Sequence, residues 1–269
     1  MKKILSLALA LIMCCGAMFS LSSCSKPNPA EDLARIQKKG TIVIGCTPFE
    51  PMNYEDENGK LIGFDTEVAE LVAQELGIKV KFRMITWSKK YLELEAGKID
   101  CIWNGFTSNS SDDGVARADR VDFSMPYATN YQCIVVKKEN REKYSTLDSL
   151  KNLKCAVEGG SAGEDFAKTL TSDITKKDAQ VDAFTDLLAG KVEFIVVDVL
   201  LANRKCEKGD FGDIVKGIEI TDNVESYGIG FRKGSTLTAK VDEILVKLKN
   251  EGKLDALAAK YGVPLAEIK

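Results

Sequence analysis

The chain has 269 residues, 45% of them hydrophobic and 29% charged. That is ordinary globular composition, and it excludes a collagen, a coiled-coil rod and a wholly disordered chain. Lysine and arginine number 37 against 40 aspartates and glutamates, with no basic block, so nucleic acid is a poor partner on electrostatic grounds. There is no histidine, which removes Ser-His-Asp and Cys-His catalysis and the common zinc sites; no metal and no other cofactor is expected.

Met1-Lys2-Lys3 precedes an apolar run from Ile4 to Phe19, the pattern of an export signal. The run is short for a transmembrane span, and no later apolar stretch is long enough for one. Leu21-Ser22-Ser23-Cys24 follows directly and resembles the bacterial lipoprotein cleavage box. The resemblance implies that residues 1–23 are a signal peptide, that cleavage falls before Cys24, and that this cysteine is acylated. Residues 24–38 then read as a lipidated N-terminus and tether, polar with two prolines. Beyond the leader there is enough chain for one large domain or two ordinary ones.

The remaining cysteines are Cys46, Cys101, Cys133, Cys155 and Cys206. Five cannot all pair with one another, and four lie in apolar strand-like runs where cysteine packs as a small hydrophobe. Buried thiols, with at most one bridge, are expected.

Thr41 to Gly45 reads as a strand. Asn58-Gly59 marks a turn. Asp65 reads as the cap of a helix carrying Val68, Leu71 and Val72 and stopping at Gly77. Ile78, Val80, Phe82 and Met84 alternate with charged residues as in a half-exposed strand. Ser88 opens a helix that ends at Gly97, and Ile99 to Trp103 is a strand. This βαβαβ order predicts a mostly parallel sheet. Tyr131 to Val136 is a further strand, after which the pattern repeats. Leu153 to Val157 is a strand, a helix starts near Ala162, Phe184 to Leu188 is helical, Phe194 to Val197 is a strand, and Asp198 caps the next helix. Tyr227 to Phe231 is a late strand. Amphipathic helices close the chain, with Val241, Leu245 and Leu248 on one face.

The predicted fold class is α/β with two lobes, each a mostly parallel sheet flanked by helices. Lobe 1 is expected to hold residues 39–128 plus 229–269 and lobe 2 residues 129–228, with crossing strands near 124–136 and 222–231. A cleft between such lobes is a natural ligand site.

Several blocks stand out together: Lys39-Gly-Thr-Ile-Val-Ile-Gly45, Asn58-Gly-Lys-Leu-Ile-Gly-Phe-Asp65, Gly97-Lys-Ile-Asp100, Gly105-Phe-Thr107, Val121-Asp-Phe-Ser124 with Pro126-Tyr127, Val197-Asp198 and Tyr227-Gly-Ile-Gly-Phe-Arg-Lys-Gly234. These blocks resemble the bacterial extracellular solute-binding proteins of family 3, which capture polar amino acids for ABC importers. They fall in family order over nearly all of the chain beyond the leader. The resemblance implies a two-lobed, type II periplasmic-binding-protein-like fold that closes on an amino acid. The implied partners are that amino acid, a permease with its ATPase subunits, and the membrane through the lipid. A monomer at the outer face of the cell membrane is expected.

The resemblance also assigns roles. Arg117, four residues before Val121-Asp-Phe, takes the place of the arginine that binds the ligand carboxylate, and a planar guanidinium fork suits that task. Gly105 would offer its carbonyl to the ammonium, and Thr107 its amide and hydroxyl to the carboxylate. Ser161 and the Ala162 amide would meet the ligand from the second lobe at a strand-to-helix turn. Asp198 would be the counter-ion of the ammonium, a role compatible with capping a helix. Phe49 and Trp87 match the aromatic pair that sandwiches the ligand side chain; for Trp87, lining the cleft is preferred to the alternative of a core position. Asn104, in the same cleft by strand alternation, is expected to read that side chain.

Two features depart from the family pattern. More residues than usual separate Thr107 from Arg117. The extra ones, Asn109-Ser-Ser-Asp-Asp-Gly114, are turn-forming and read as a solvated loop at the cleft mouth, the alternative being that Asp112 or Asp113 approaches the ligand. Cys46 stands three residues before Phe49, where members that take basic or amide side chains often place an aspartate. This favours a polar, small or sulfur-containing ligand, cystine included, although Glu50 nearby could restore a charge. A second reading is an enzyme of the same fold, a cyclohexadienyl or arogenate dehydratase. It would need a buried general acid, for which Glu158 and Glu164 are the candidates; a lipid anchor suits capture better. A receptor's sensing lobe would need a transmembrane segment and a signalling domain after residue 269.

Overall fold

The apolar run Thr41–Cys46 forms an inner strand of a five-stranded sheet in the computed structural model, which describes residues 26–268. Lys79–Met84 pairs with it in parallel on one side, Ile42 opposite Val80, and Cys101–Ile102 pairs in parallel on the other. Gly230–Phe231 then runs antiparallel to Cys101–Ile102 and to Asp122–Phe123. Lys79–Met84 is the edge, and its alternating charged residues leave it half exposed, as the sequence predicts.

The second five-stranded sheet is built from residues 132–219. Cys155–Glu158 lies in parallel between Ile174–Lys177 and Phe194–Asp198. Gln132–Lys137 runs antiparallel to Phe194–Asp198 and to Ile214–Glu219. Both sheets are flanked by helices, so the two-lobed α/β class is what the chain adopts. Two short strands cross between the lobes, Ala128–Asn130 and Glu225–Tyr227, and they pair antiparallel with each other. The C-terminal helices Leu237–Asn250 and Lys253–Tyr261 return to the first lobe. Val241, Leu245 and Leu248 recur at helical spacing and are fully buried, each contributing about 1.5–3 kcal/mol by leaving water.

Some expectations change. The tether expected over 24–38 gives way, from Asp32, to a helix Asp32–Lys39 with Asp32 and Ile36 buried. Its anchor is ionic. Arg232 holds Asp32 with a planar fork, Nε to Oδ2 at 3.0 Å and Nη2 to Oδ1 at 2.8 Å, and donates Nη1 to the carbonyls of Leu94 and Ile99. Arg35 adds bonds to Asp32 and Asp100. Asp65 does not cap its helix, which spans Phe64–Glu75 and starts after Gly63 with no side-chain cap. Its buried carboxylate instead accepts from the Gly105 amide at 2.8 Å and the Tyr127 hydroxyl at 3.0 Å. Asp198 stands at the N-cap of Val199–Lys205 but also makes no capping bond. Cys46, Cys101, Cys133, Cys155 and Cys206 are all free and buried. The export signal and Cys24 lie outside the described residues. Among the described residues no helix is long and apolar enough to cross a membrane.

Candidate ligand-binding site

Charge gathers where the lobes meet. Arg117 opens the short helix Arg117–Arg120 and is 1% exposed. All three of its nitrogens are engaged: Nε with Asp112 Oδ1 at 2.9 Å, Nη1 with the Thr107 carbonyl at 3.2 Å, and Nη2 with the Gly160 carbonyl of the second lobe at 3.3 Å. The guanidinium also lies over the Phe106 ring, 5.1 Å from its centroid. Lys90 is equally buried. It donates to the Gly160 carbonyl at 2.9 Å, sits 3.2 Å from Asp112 Oδ2, and is ringed by Trp87, Tyr91 and Phe106. Burial, then the neighbouring Arg117, lower its ammonium to a pKa of about 8.

Of residues 109–114, Asn109, Asp113 and Gly114 are exposed, but Asp112 is not. Ser111–Asp112 and Val115–Ala116 pair as a small hairpin, which buries Asp112 between Arg117, Lys90 and the Tyr91 hydroxyl at 2.5 Å. Burial raises the Asp112 carboxyl, but Arg117 and Lys90 outweigh it and hold it below the usual carboxylate range. Asp113 stays exposed and pairs with Lys168 of the second lobe at 2.9 Å.

Further carboxylates gather at the same junction. Asp198 accepts from Gln132 at 3.0 Å and the Tyr227 hydroxyl at 2.9 Å, and from Asn130 and Gln180. Glu225, on the crossing strand, accepts from Asn130 at 2.7 Å, Gln132 at 2.9 Å and the Thr107 hydroxyl at 3.3 Å. These donors are all neutral. Among the described residues neither carboxylate has a basic partner within ion-pair distance, nor has Glu158. Burial first, and their mutual repulsion next, raise Glu225; burial likewise raises Asp198.

Glu158 ends the strand Cys155–Glu158, and burial, with Asp198 nearby, pushes its carboxyl up to about 8. The Thr47 hydroxyl lies 3.1 Å from Glu158 Oε1 and 2.8 Å from Asn104 Oδ1. One hydroxyl hydrogen cannot serve both acceptors, so a protonated Glu158 that donates to Thr47 completes the chain across the lobes. A group with a raised folded pKa contributes stability that is complete below its unfolded value, near 4.5, and is lost as pH rises through about 8. The expected result is that unfolding free energy falls as pH is raised from 5 to 8 in urea titrations. Glu158→Gln should flatten that slope by on the order of 1 kcal/mol per pH unit, and a slope identical in the variant would remove Glu158 as its source.

The other predicted residues are placed as follows. Gly105 has φ +56°, and a Cβ there would come within 2.6 Å of the Phe49 ring and 3.0 Å of the Tyr227 ring. Phe49 meets Tyr227 edge to face at 6.4 Å. Phe49, Gly105, Tyr227 and Asp198 therefore form one packed and hydrogen-bonded row. Trp87 packs edge to face on Phe106 within a buried cluster that includes Ile102 and Val121, against the Lys90 ammonium. Ser161 Oγ accepts from the Glu164 amide and caps Ala162–Ala167. Ala162 lines a cavity of about 240 Å³ with Thr107, Gln132, Phe166 and Glu225. Asn104 is buried. Its amide donates to the Thr47 carbonyl and to Asn53, and its oxygen accepts from Thr47, so its hydrogen bonds are spent inside the first lobe. Glu50 faces the second lobe and pairs with Lys205 at 2.9 Å. Glu164 pairs with Lys168 and Lys176 and is held low.

Lys90, Glu225, Gln132 and Thr47 escape the sequence reading. Nothing local separates buried Lys90 from exposed Lys89. The crossing strand that buries Glu225 has three residues, too few for an alternation to show.

Two α/β lobes joined by crossing strands, with buried cations and carboxylates gathered at their junction, define a solute-binding protein of two-lobed architecture. The sequence profile of the bacterial extracellular solute-binding proteins, family 3, matches residues 42–264, and the chain belongs to that family. It is similar to the L-cystine-binding protein TcyJ of Escherichia coli (strain K12), 29% identical, with 85% of each chain covered. Among solved structures it is similar to an ancestral arginine-binding protein bound to arginine, at 34% identity and TM-score 0.75, covering 82% of this chain and 98% of that one. It is also similar to the ancestral amino acid-binding protein AncCDT-1, a precursor of cyclohexadienyl dehydratase, at 31% identity and TM-score 0.76, covering 85% of this chain and 98% of that one.

Proposed function

We propose that this protein captures an amino acid between its lobes and delivers it to the permease and ATPase subunits of an ABC importer. The observation that carries this reading is the placement of Thr107. Its carbonyl accepts from Arg117 and its hydroxyl donates to Glu225, so a cation and a carboxylate flank one residue. An α-amino acid presents a carboxylate and an ammonium at that short spacing. Arg117 and Thr107 take the carboxylate; Asp198, Glu225 and the Gly105 carbonyl take the ammonium. Ser161 and Ala162 add contacts from the second lobe on closure, and such differential contact is what drives lobes to close. Phe49 and Trp87 supply the apolar walls, and Asn104 acts through Thr47. The named ligands of the relatives, cystine and arginine, are amino acids. Buried, uncharged Cys46 and a Glu50 already paired with Lys205 favour a polar, small or sulfur-containing side chain, with cystine the leading candidate.

A thermal-shift panel of the twenty amino acids, cystine, ornithine, prephenate and arogenate tests this on residues 25–269. A ligand at about a hundred times its dissociation constant adds roughly 2.7 kcal/mol, a rise of roughly 5–11 °C at this size. One amino acid, or a narrow group of them, should give that shift. A second reading has one observation in its favour: Glu158 is buried at the lobe junction beside the Thr47 hydroxyl, and burial raises its carboxyl, as a general acid requires. A dehydratase would respond to prephenate or arogenate instead.

The protein works as a monomer held at the outer face of the cell membrane by a palmitate-type lipid on Cys24. Cys24→Ser is expected to release it from the membrane fraction; unchanged partitioning would remove the anchor.

A further inference from the structure

Asp112 has no task in the capture of an amino acid as set out above, yet it occupies the arginine on which that capture depends. Its Oδ1 lies 2.9 Å from both Nε and Nη2 of Arg117. Its Oδ2 accepts from the Tyr91 hydroxyl at 2.5 Å and stands 3.2 Å from the Lys90 ammonium. A guanidinium edge, an ammonium and a hydroxyl are the partners a bound carboxylate seeks. The edge formed by Nε and Nη2 is the one on which a carboxylate makes two parallel bonds, because Nη1 is turned to the Thr107 carbonyl. Two carboxylates cannot both hold that buried edge without strong like-charge repulsion. The hairpin that carries Asp112 is fastened at its turn as well, through Asp113 and Lys168 of the second lobe.

We infer that Asp112 is an internal counter-ion that competes with the ligand's carboxylate for Arg117 and Lys90, so that the hairpin 109–116 sets the affinity of the site. The inference rests on the reading of Arg117 as the carboxylate anchor. A ligand that binds must displace Asp112 from the guanidinium, and part of its interaction is spent in doing so. A ligand without a carboxylate leaves Asp112 in place. The hairpin therefore lowers affinity for every carboxylate ligand, and the rest of the ligand must bind well enough to drive the exchange.

The test is isothermal calorimetry with L-cystine and L-arginine, and with cystamine and agmatine, which keep the amines and lack the carboxylates. The proteins are wild type, Asp112→Ala and Asp112→Asn. The asparagine variant keeps the shape and one acceptor should the alanine variant fail to fold. The amino acid that wild type binds should bind the variants about tenfold tighter or more, the scale of one charged hydrogen bond, while its amine changes by less than about twofold. Weaker or equal amino-acid binding by the folded variants overturns the inference and makes Asp112 a positioning residue for Arg117. Equal gains for amine and amino acid overturn it too, because the gain is then not a matter of carboxylate competition. Wild-type protein and variants that bind neither these nor any of the twenty amino acids overturn the solute reading and this inference with it.

Discussion

Arg117→Ala is expected to weaken amino-acid binding at least about a hundredfold while both lobes stay folded. The side chain is 1% exposed, and its guanidinium touches the Thr107 carbonyl on one lobe and the Gly160 carbonyl on the other. A hydrogen bond to a charged group contributes about 1.5–3 kcal/mol, so two parallel bonds to a carboxylate amount to a hundredfold or more. The fold should survive because Asp112, the anion left behind, keeps Lys90 and the Tyr91 hydroxyl. Arg117→Lys should recover little, since an ammonium cannot form the fork. Arg120→Ala is the control. Among the described residues Arg120 reaches the Asp112 carbonyl at 3.4 Å and the face of Tyr91, so binding should stay within about threefold. Calorimetry with circular dichroism on the same samples checks all three. Binding within about threefold of wild type by a folded Arg117→Ala protein would take the arginine out of the site.

The second large effect is on stability. Arg232→Met is expected to cost about 3–5 kcal/mol, because it leaves buried Asp32 without its fork and the carbonyls of Leu94 and Ile99 without a donor. At this chain length that is a fall in Tm of roughly 6–20 °C. The loss should be this large because Arg232 joins three parts of the first lobe: the N-terminal helix, the strand region after Leu94, and the segment entering the last two helices. Arg35 compensates in part, since it reaches both Asp32 and Asp100. A Tm within about 2 °C of wild type would show that the network contributes little beyond packing.

The fold was legible where periodicity was strong. The alternation from Ile78 to Met84 and the heptad-like spacing of Val241, Leu245 and Leu248 each gave an element of the right type. The short elements were not legible. The hairpin at 111–116 is two residues per strand, and no two-residue strand carries a period. Ile174–Lys177 holds two lysines at its end and has the look of a loop. Asp65 and Asp198 both stand at helix starts and invite a capping assignment, yet tertiary donors claim both carboxylates: Tyr127 and Gly105 in one case, Tyr227 and the amides of Asn130, Gln132 and Gln180 in the other. The charged framework of the candidate site was half visible. Arg117 and Asp198 follow from the family blocks around them. Lys90 and Glu225 do not, because their burial arises from contacts made across the lobes or the crossing strands, and Asp112 is buried by a hairpin too short to show a period.

The central claim is that one site reads both charges of an amino acid. The direct measurement is calorimetry with the amino acid that stabilises the protein most, set beside its N-acetyl form and its C-terminal amide. The account requires each modification to weaken binding by about a hundredfold or more, because one removes the ammonium facing Asp198 and Glu225 and the other the carboxylate facing Arg117. If either derivative binds as tightly as the parent, the site does not read that charge, and the assignment of its residues is wrong.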